Sequence, residues 1–246
     1  MKISGSGTIS AGEYNESISV SGSGKITGNI KCQELSCSGS VKGTGSIRCM
    51  GDIRVSGACA FEENVCADHI SISGALKVVG DVSVNKTIKV AGGLRCGGTV
   101  RCERLVSAGS MDIGTEIAAE EARIAGHLRC KGLLNAERVD ICLDGGMNAS
   151  QVGSIGGSEI KIYYKERKSS DSHRMPLLSK FFGGVGGHLH VDELIEGDIV
   201  ALEGVYSPKV IGRVVAIGEG CEIGLLQYTE EIELHPNAKV EKCEKI

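Results

Sequence analysis

The sequence has no tryptophan, three prolines and only 3% aromatic residues. Aromatic side chains ordinarily supply much of a globular core, so any core in this chain is assembled from small aliphatic pieces. No apolar run approaches the roughly 20 residues of a membrane-spanning helix. The opening MKISGSGTIS has no apolar signal core, which predicts retention in the cytoplasm. Positive charge is not in excess: the formal net charge is −4. A general nucleic-acid binder carries a basic footprint, so no nucleic-acid partner is expected. The eleven cysteines include no C-x-x-C pair. In a reducing compartment they read as small buried hydrophobes, with neither a disulfide framework nor a metal cluster.

Glycine is abundant instead, at 36 residues, and it is regularly spaced. Aligned Ser-Gly and Ala-Gly pairs place Gly5, Gly22, Gly39, Gly57, Gly74, Gly92, Gly109 and Gly126 at intervals of 17 or 18 residues. Apolar residues hold fixed positions around each of them. Near Gly92 they are Ile88, Val90, Leu94, Cys96, Val100 and Cys102; near Gly74 they are Ile70, Ile72, Leu76, Val78, Val82 and Val84. A second glycine often follows six residues on, as at Gly28, Gly80, Gly98 and Gly132.

Alternation with period two means strands with one buried face. Each strand is short, with two inward residues and then a bend. Three short strands and three bends per 17–18 residues make one triangular rung. Rungs stacked about 4.8 Å apart bond strand to strand. The fold class predicted is therefore all-β: a single-stranded β-helix, or solenoid, over residues 1–163. Gly22 and Gly39 are expected to turn corners by adopting positive φ, a region closed to β-branched residues.

The same phase places Cys32, Cys49 and Cys102 at one inward position, shared by Ala67, Val84, Ala119 and Ala136. Cys96 and Cys130 share another with Val78 and Ile113. Cys66 falls out of phase and is the thiol expected to be exposed. Beyond Gly126 the register loosens but continues through Leu134, Val139, Ile141, Leu143, Ile155, Ile160 and Ile162.

Residues 164–190 break the repeat. They carry Lys165, Arg167, Lys168, Arg174 and Lys180 against Glu166 and Asp171, a local charge of +3. Leu177, Leu178, Phe181 and Phe182 sit beside Lys180, so this segment reads either as a loop or as an element making weak contact with a membrane surface or a partner. The alternating pattern returns over 191–246, where 12 acidic and five basic residues give −7. Here Ile211, Ile217 and Ile223, each followed by glycine, echo the hexapeptide repeat of acyltransferases over about one coil. They are read as further rungs.

Other motifs carry less. GSGKIT at 22–27 lacks the spacing of a phosphate-binding loop. His188 and His190 would point to one face of a strand, but no third ligand completes a metal site. No nucleophile–base arrangement stands out, so no catalytic residue and no cofactor are assigned.

The repeat Ile18 to Ile30, together with the closing IEGDIVALEGVYSPKVIGRVVAIGEGCEIGLLQYTEEIELHPNAKV, resembles the bactofilins, polymer-forming bacterial cytoskeletal proteins, in their long Gram-positive form. The resemblance implies a right-handed β-helix that assembles end to end without nucleotide and supports cell shape, envelope organisation or motility. It implies self-association as a homopolymer, with bactofilin-like paralogues or membrane-associated proteins as further partners. The terminal rungs of a solenoid expose unpaired strand edges, which points to Ile3 and Ile9 at one end and Ile232, Leu234 and Val240 at the other as polymer contacts. A monomeric or small-oligomer β-helical binding adaptor and, as the lesser alternative, a hexapeptide-type acyltransferase are the other readings.

Overall fold

The computed structural model describes residues 1–143, 150–165 and 188–246, and every regular element among them is a strand. The chain divides into two compact units, Met1–Ala119 and Glu120–Ile246. Each is a solenoid of parallel strands, as the alternation predicts.

In the first unit three columns of inward residues run from rung to rung. One passes through Ile3, Val20, Cys37, Val55, Ile72 and Val90. The second takes Ile9, Ile26, Gly43, Phe61, Val78, Cys96 and Ile113. The third takes Gly12, Ile30, Ile47, Val65, Val82 and Val100. Nearly all these side chains are fully buried, each aliphatic contributing roughly 1.5–3 kcal/mol. Phe61 is the single phenylalanine of this unit. It fits because the rung beneath offers Gly43, where a methyl group would lie 2.7 Å from the Phe61 ring.

The corner glycines do their work differently from the expectation. Neither Gly22 nor Gly39 has positive φ. What they provide is room for a close approach between rungs. The Gly22 carbonyl points along the stack and accepts the Ser40 N–H at 2.9 Å. A Cβ added to Gly39 would sit 1.9 Å from that same oxygen. The pattern repeats up the column: Gly57, Gly74, Gly92 and Gly109 would each place a Cβ within 2.0 Å of the glycine oxygen below. Side-chain amides and carboxylates stack at another corner. Asn64 Oδ1 accepts the Asp81 N–H and Asp81 Oδ1 accepts the Thr99 N–H, both at 2.8 Å. Gly80 and Gly98 leave room for these oxygens, which a Cβ would meet at 2.2 and 2.1 Å. Only Gly28 among the second-corner glycines has a left-handed backbone, with φ +82°.

The cysteines largely follow the small-slot reading: seven of the eleven are buried and none is disulfide-bonded. Cys32 and Cys49 stack directly, with sulfurs 3.2 Å apart. The bond to Cys32, then burial, pushes the Cys49 thiol far above its ordinary range. Two details differ. Cys102 and Ala119 are only half-buried; at Cys102 the ladder shifts register after Arg101. Cys66 is half-buried, whereas Cys243 is the exposed thiol.

In the second unit the inward columns run through Leu134, Ile155, Ile195, Val210, Leu226 and Cys243, and through Val139, Ile160, Val200, Val215 and Ile232. Rung length varies here: Val139 pairs with Ile160 across 21 residues, Val200 with Val215 across 15, and Val215 with Ile232 across 17. Ile217 and Ile223 are buried in the stack, but Ile211 is only half-buried. The six-residue spacing therefore does not mark one inward branched residue per face.

Candidate functional site

Two kinds of feature in this structure could do chemistry or recognition: the edges of the terminal rungs, and a buried polar cluster where the 164–190 segment departs.

The first rung is partly closed. Ile3 is half-buried, and Ile9 is completely buried. The Tyr14 N–H donates to the Lys31 carbonyl at 2.7 Å, which sets Tyr14 opposite Cys32 in the inward column. Its hydroxyl turns back along the strand and donates to the Ser10 carbonyl at 2.8 Å, beside Ile9. An aromatic ring thus takes the position of a cysteine on the rung that has no neighbour below among the described residues. The sequence signal for this cap was a lone tyrosine near a small-residue slot, and the glycine-based count missed it. Ile9, being completely buried, presents no surface to a partner.

The final rung is open. Ile232 and Leu234 sit above Val215 and Ile217, and Val240 above Ile223. The residues below are fully buried, whereas Leu234 is 43% exposed and Ile232 and Val240 are half-exposed. Cys243 lies over buried Leu226 yet is itself exposed. All four have inward phase, and among the described residues no strand pairs above them. The strand Lys239–Lys245 has no partner on its outer side among the described residues. Its lysines are engaged: Lys239 with Glu222 at 2.6 Å, Lys242 with Glu244 at 2.5 Å, and Lys245 over the Tyr228 ring.

Leu177, Leu178, Lys180, Phe181 and Phe182 lie outside the described residues. The strands on either side, Ser150–Tyr164 and Leu189–Leu202, pair without a break at Ile160 and Val200. Tyr164 is buried, and its hydroxyl packs against Gly204 and Gly220, which have φ of +62° and +73°. A Cβ at either would lie within 3 Å of that hydroxyl. Glu203 is 4% exposed and accepts the Tyr164 N–H at 3.0 Å. Burial raises the Glu203 pKa, the Tyr164 bond opposes this, and Glu219 adds to the rise. Burial likewise pushes the Tyr164 hydroxyl and the Cys221 thiol up to about 12, leaving both protonated at neutral pH.

The raised Glu203 pKa has a measurable consequence. Between the ordinary carboxylate range and its raised value, the folded state holds a proton that the unfolded chain has lost. Stability therefore falls as pH rises through that window. Glu203→Gln keeps an oxygen for the Tyr164 N–H and removes the titration. The variant is expected to melt above the parent at pH 7 and together with it near pH 4; equal melting at both pH values would refute the assignment.

His188 and His190 flank Tyr206, with ring centroids 5.0 and 6.5 Å from it. Among the described residues no group of three or more His, Cys, Asp or Glu side chains could hold a metal ion.

No family model and no solved structure matches the chain. The chain is 34% identical over 97 residues to the uncharacterized protein YhbF of Bacillus subtilis (strain 168). That match takes in 39% of this chain and 35% of the relative's length.

Proposed function

We propose that this protein is a bacterial scaffold of the bactofilin type, a β-solenoid that assembles end to end without nucleotide to support cell shape, envelope organisation or motility. The observation that carries the reading is the open final rung. It offers a strand edge with no partner among the described residues, together with Ile232, Leu234, Val240 and Cys243, all in core phase and partly or wholly exposed. Such an edge templates another strand, and the apolar row rewards only a partner whose rung continues the stack. The bactofilin resemblance of the repeat and of the closing segment supports the same reading. Membrane-associated proteins and bactofilin-like paralogues are the partners it suggests, with the 164–190 segment as a contact.

Purified protein without nucleotide is expected to form filaments in negative-stain microscopy and to sediment. The pair Leu234→Lys and Val240→Lys places two charges in the row and is expected to leave soluble, folded protein. A parent chain that stays monomeric at high concentration would replace the scaffold with a binding adaptor. Filaments that persist in the double variant would move the contact away from this edge.

A further inference from the structure

One face of the first unit carries a line of cations that the assembly reading does not use. The third residue after each corner glycine points outward from the strands, and strand pairing stacks these residues in register: Thr8, Lys25, Lys42, Ala60, Lys77, Arg95 and Asp112. Four of the five central rungs present a positive charge. With rungs about 4.8 Å apart, the line from Lys25 to Arg95 is about 19 Å long. Like charges stacked directly, as Lys25 on Lys42 and Lys77 on Arg95, oppose folding.

Two other cations of this unit are neutralised: Lys31 pairs with Glu13 at 3.6 Å, and Arg54 with Asp52 at 2.5 Å. Arg95 meets Asp112 at 3.2 Å, closing the line at one end. Lys25, Lys42 and Lys77 are exposed, and among the described residues none has a carboxylate within ion-pair distance.

The line borders a trough. Two adjoining grooves of about 1200 and 430 Å³ share Ser40, Lys42, Ala60 and Lys77. The column beside the cations is small and partly hydroxylic: Ser6, Ser23, Ser40, Ala58, Ala75, Gly93 and Ser110. Two carboxylates line the grooves, Glu62 in one and Asp112, paired with Arg95, in the other.

We propose that this trough binds a linear polyanion built of phosphate groups, lying along the stack. Lysine suits phosphate as a point charge, without the fixed bidentate geometry of arginine and carboxylate. The hydroxyls of Ser23 and Ser40 add neutral donors beside Lys25 and Lys42, and the small column lets a chain approach the backbone. Single-stranded nucleic acid fits less well, because its binding grooves present aromatic platforms for the bases. The aromatic ring that lines this trough, Phe61, is buried in the core.

The test measures binding of the full chain to inorganic polyphosphate, to poly(glycerol phosphate) and to single-stranded RNA across a salt series. The variant Lys25→Gln/Lys42→Gln/Lys77→Gln is compared with Arg48→Gln/Lys89→Gln/Arg101→Gln, which changes net charge equally on other faces. One or both base-free polymers should bind the parent, and the stronger identifies the source of the phosphate chain. The lysine variant should lose about tenfold or more in affinity, and its log–log salt slope should fall by about 2, at ~0.7 per lost phosphate contact. The control variant should keep most of the affinity. Binding of neither polymer, equal loss in both variants, or tighter binding of RNA would overturn the proposal.

Discussion

Replacing Gly39 by valine is expected to prevent the first unit from stacking. The added Cβ would lie 1.9 Å from the Gly22 oxygen and 2.6 Å from the Ser21 oxygen, both backbone atoms with no side-chain freedom to yield. Relief requires the two rungs to separate, which breaks the bond from Ser40 N–H to that same Gly22 oxygen and its neighbours in the ladder. Ordinary overpacking costs about 1–3 kcal/mol; a backbone clash of this kind is expected to cost about 4 kcal/mol or more. Alanine carries the same Cβ, so Gly39→Ala should be nearly as damaging, which a φ-based account would not require. Gly5, at the start of the column, has nothing within 4 Å of its Cβ position, and Gly5→Ala should be neutral within about 0.5 kcal/mol. Urea denaturation of the three variants decides the matter. A Gly39→Ala protein as stable as Gly5→Ala would show that the glycine column is not a close-approach column.

The second large effect is expected at Phe61. Truncation to alanine removes the only phenylalanine of the first unit's core and should cost about 3–5 kcal/mol. The cavity it leaves adjoins Gly43 in the rung below, and this allows a sharper experiment. Gly43→Val alone should be destabilising, because its Cβ would meet the Phe61 ring at 2.7 Å. Combined with Phe61→Val it redistributes the same volume over two rungs, giving each the aliphatic residue found in the neighbouring positions Ile26 and Val78. The double variant should therefore be more stable than the sum of the single effects predicts, by about 1–3 kcal/mol of coupling. Additive losses in thermal or chemical denaturation would mean that the two positions do not share one packing space.

Much of the fold was legible in the sequence because a single physical constraint, two inward residues per short strand, repeats. Ile70, Ile72, Leu76, Val78, Val82 and Val84 were all assigned inward from alternation, and all are buried. Alternation reports phase, however, and burial also needs a cover. Leu234 and Cys243 have the right phase and remain exposed because among the described residues no rung lies above them. The corner glycines were found at the right places for another reason than the real one, since a small residue looks the same in sequence whether it serves positive φ or a carbonyl directly beneath it. Tyr14 and Glu203 were missed because each departs from the repeat. Tyr14 fills a column meant for a small residue on a rung with an open side. Glu203 follows inward-facing Leu202 in the chain and is nevertheless buried, held by the Tyr164 N–H. Lys25, Lys42, Lys77 and Arg95 stand at outward positions, about which the alternation of buried residues says nothing, and only the register of the ladder lines them up.

The constant spacing of the ladder has a consequence for how such a chain changes over generations. Within the first unit each strand bonds to partners about 17 residues away in either direction and to nothing more distant. The closure entropy of one such loop is nearly the same for every rung, and stability accumulates from neighbour to neighbour. A duplicated or deleted segment of one period therefore leaves every remaining interface with a partner of the same kind. Length in this architecture is a freely adjustable quantity, and a scaffold can be made longer or shorter by whole rungs without redesigning its core.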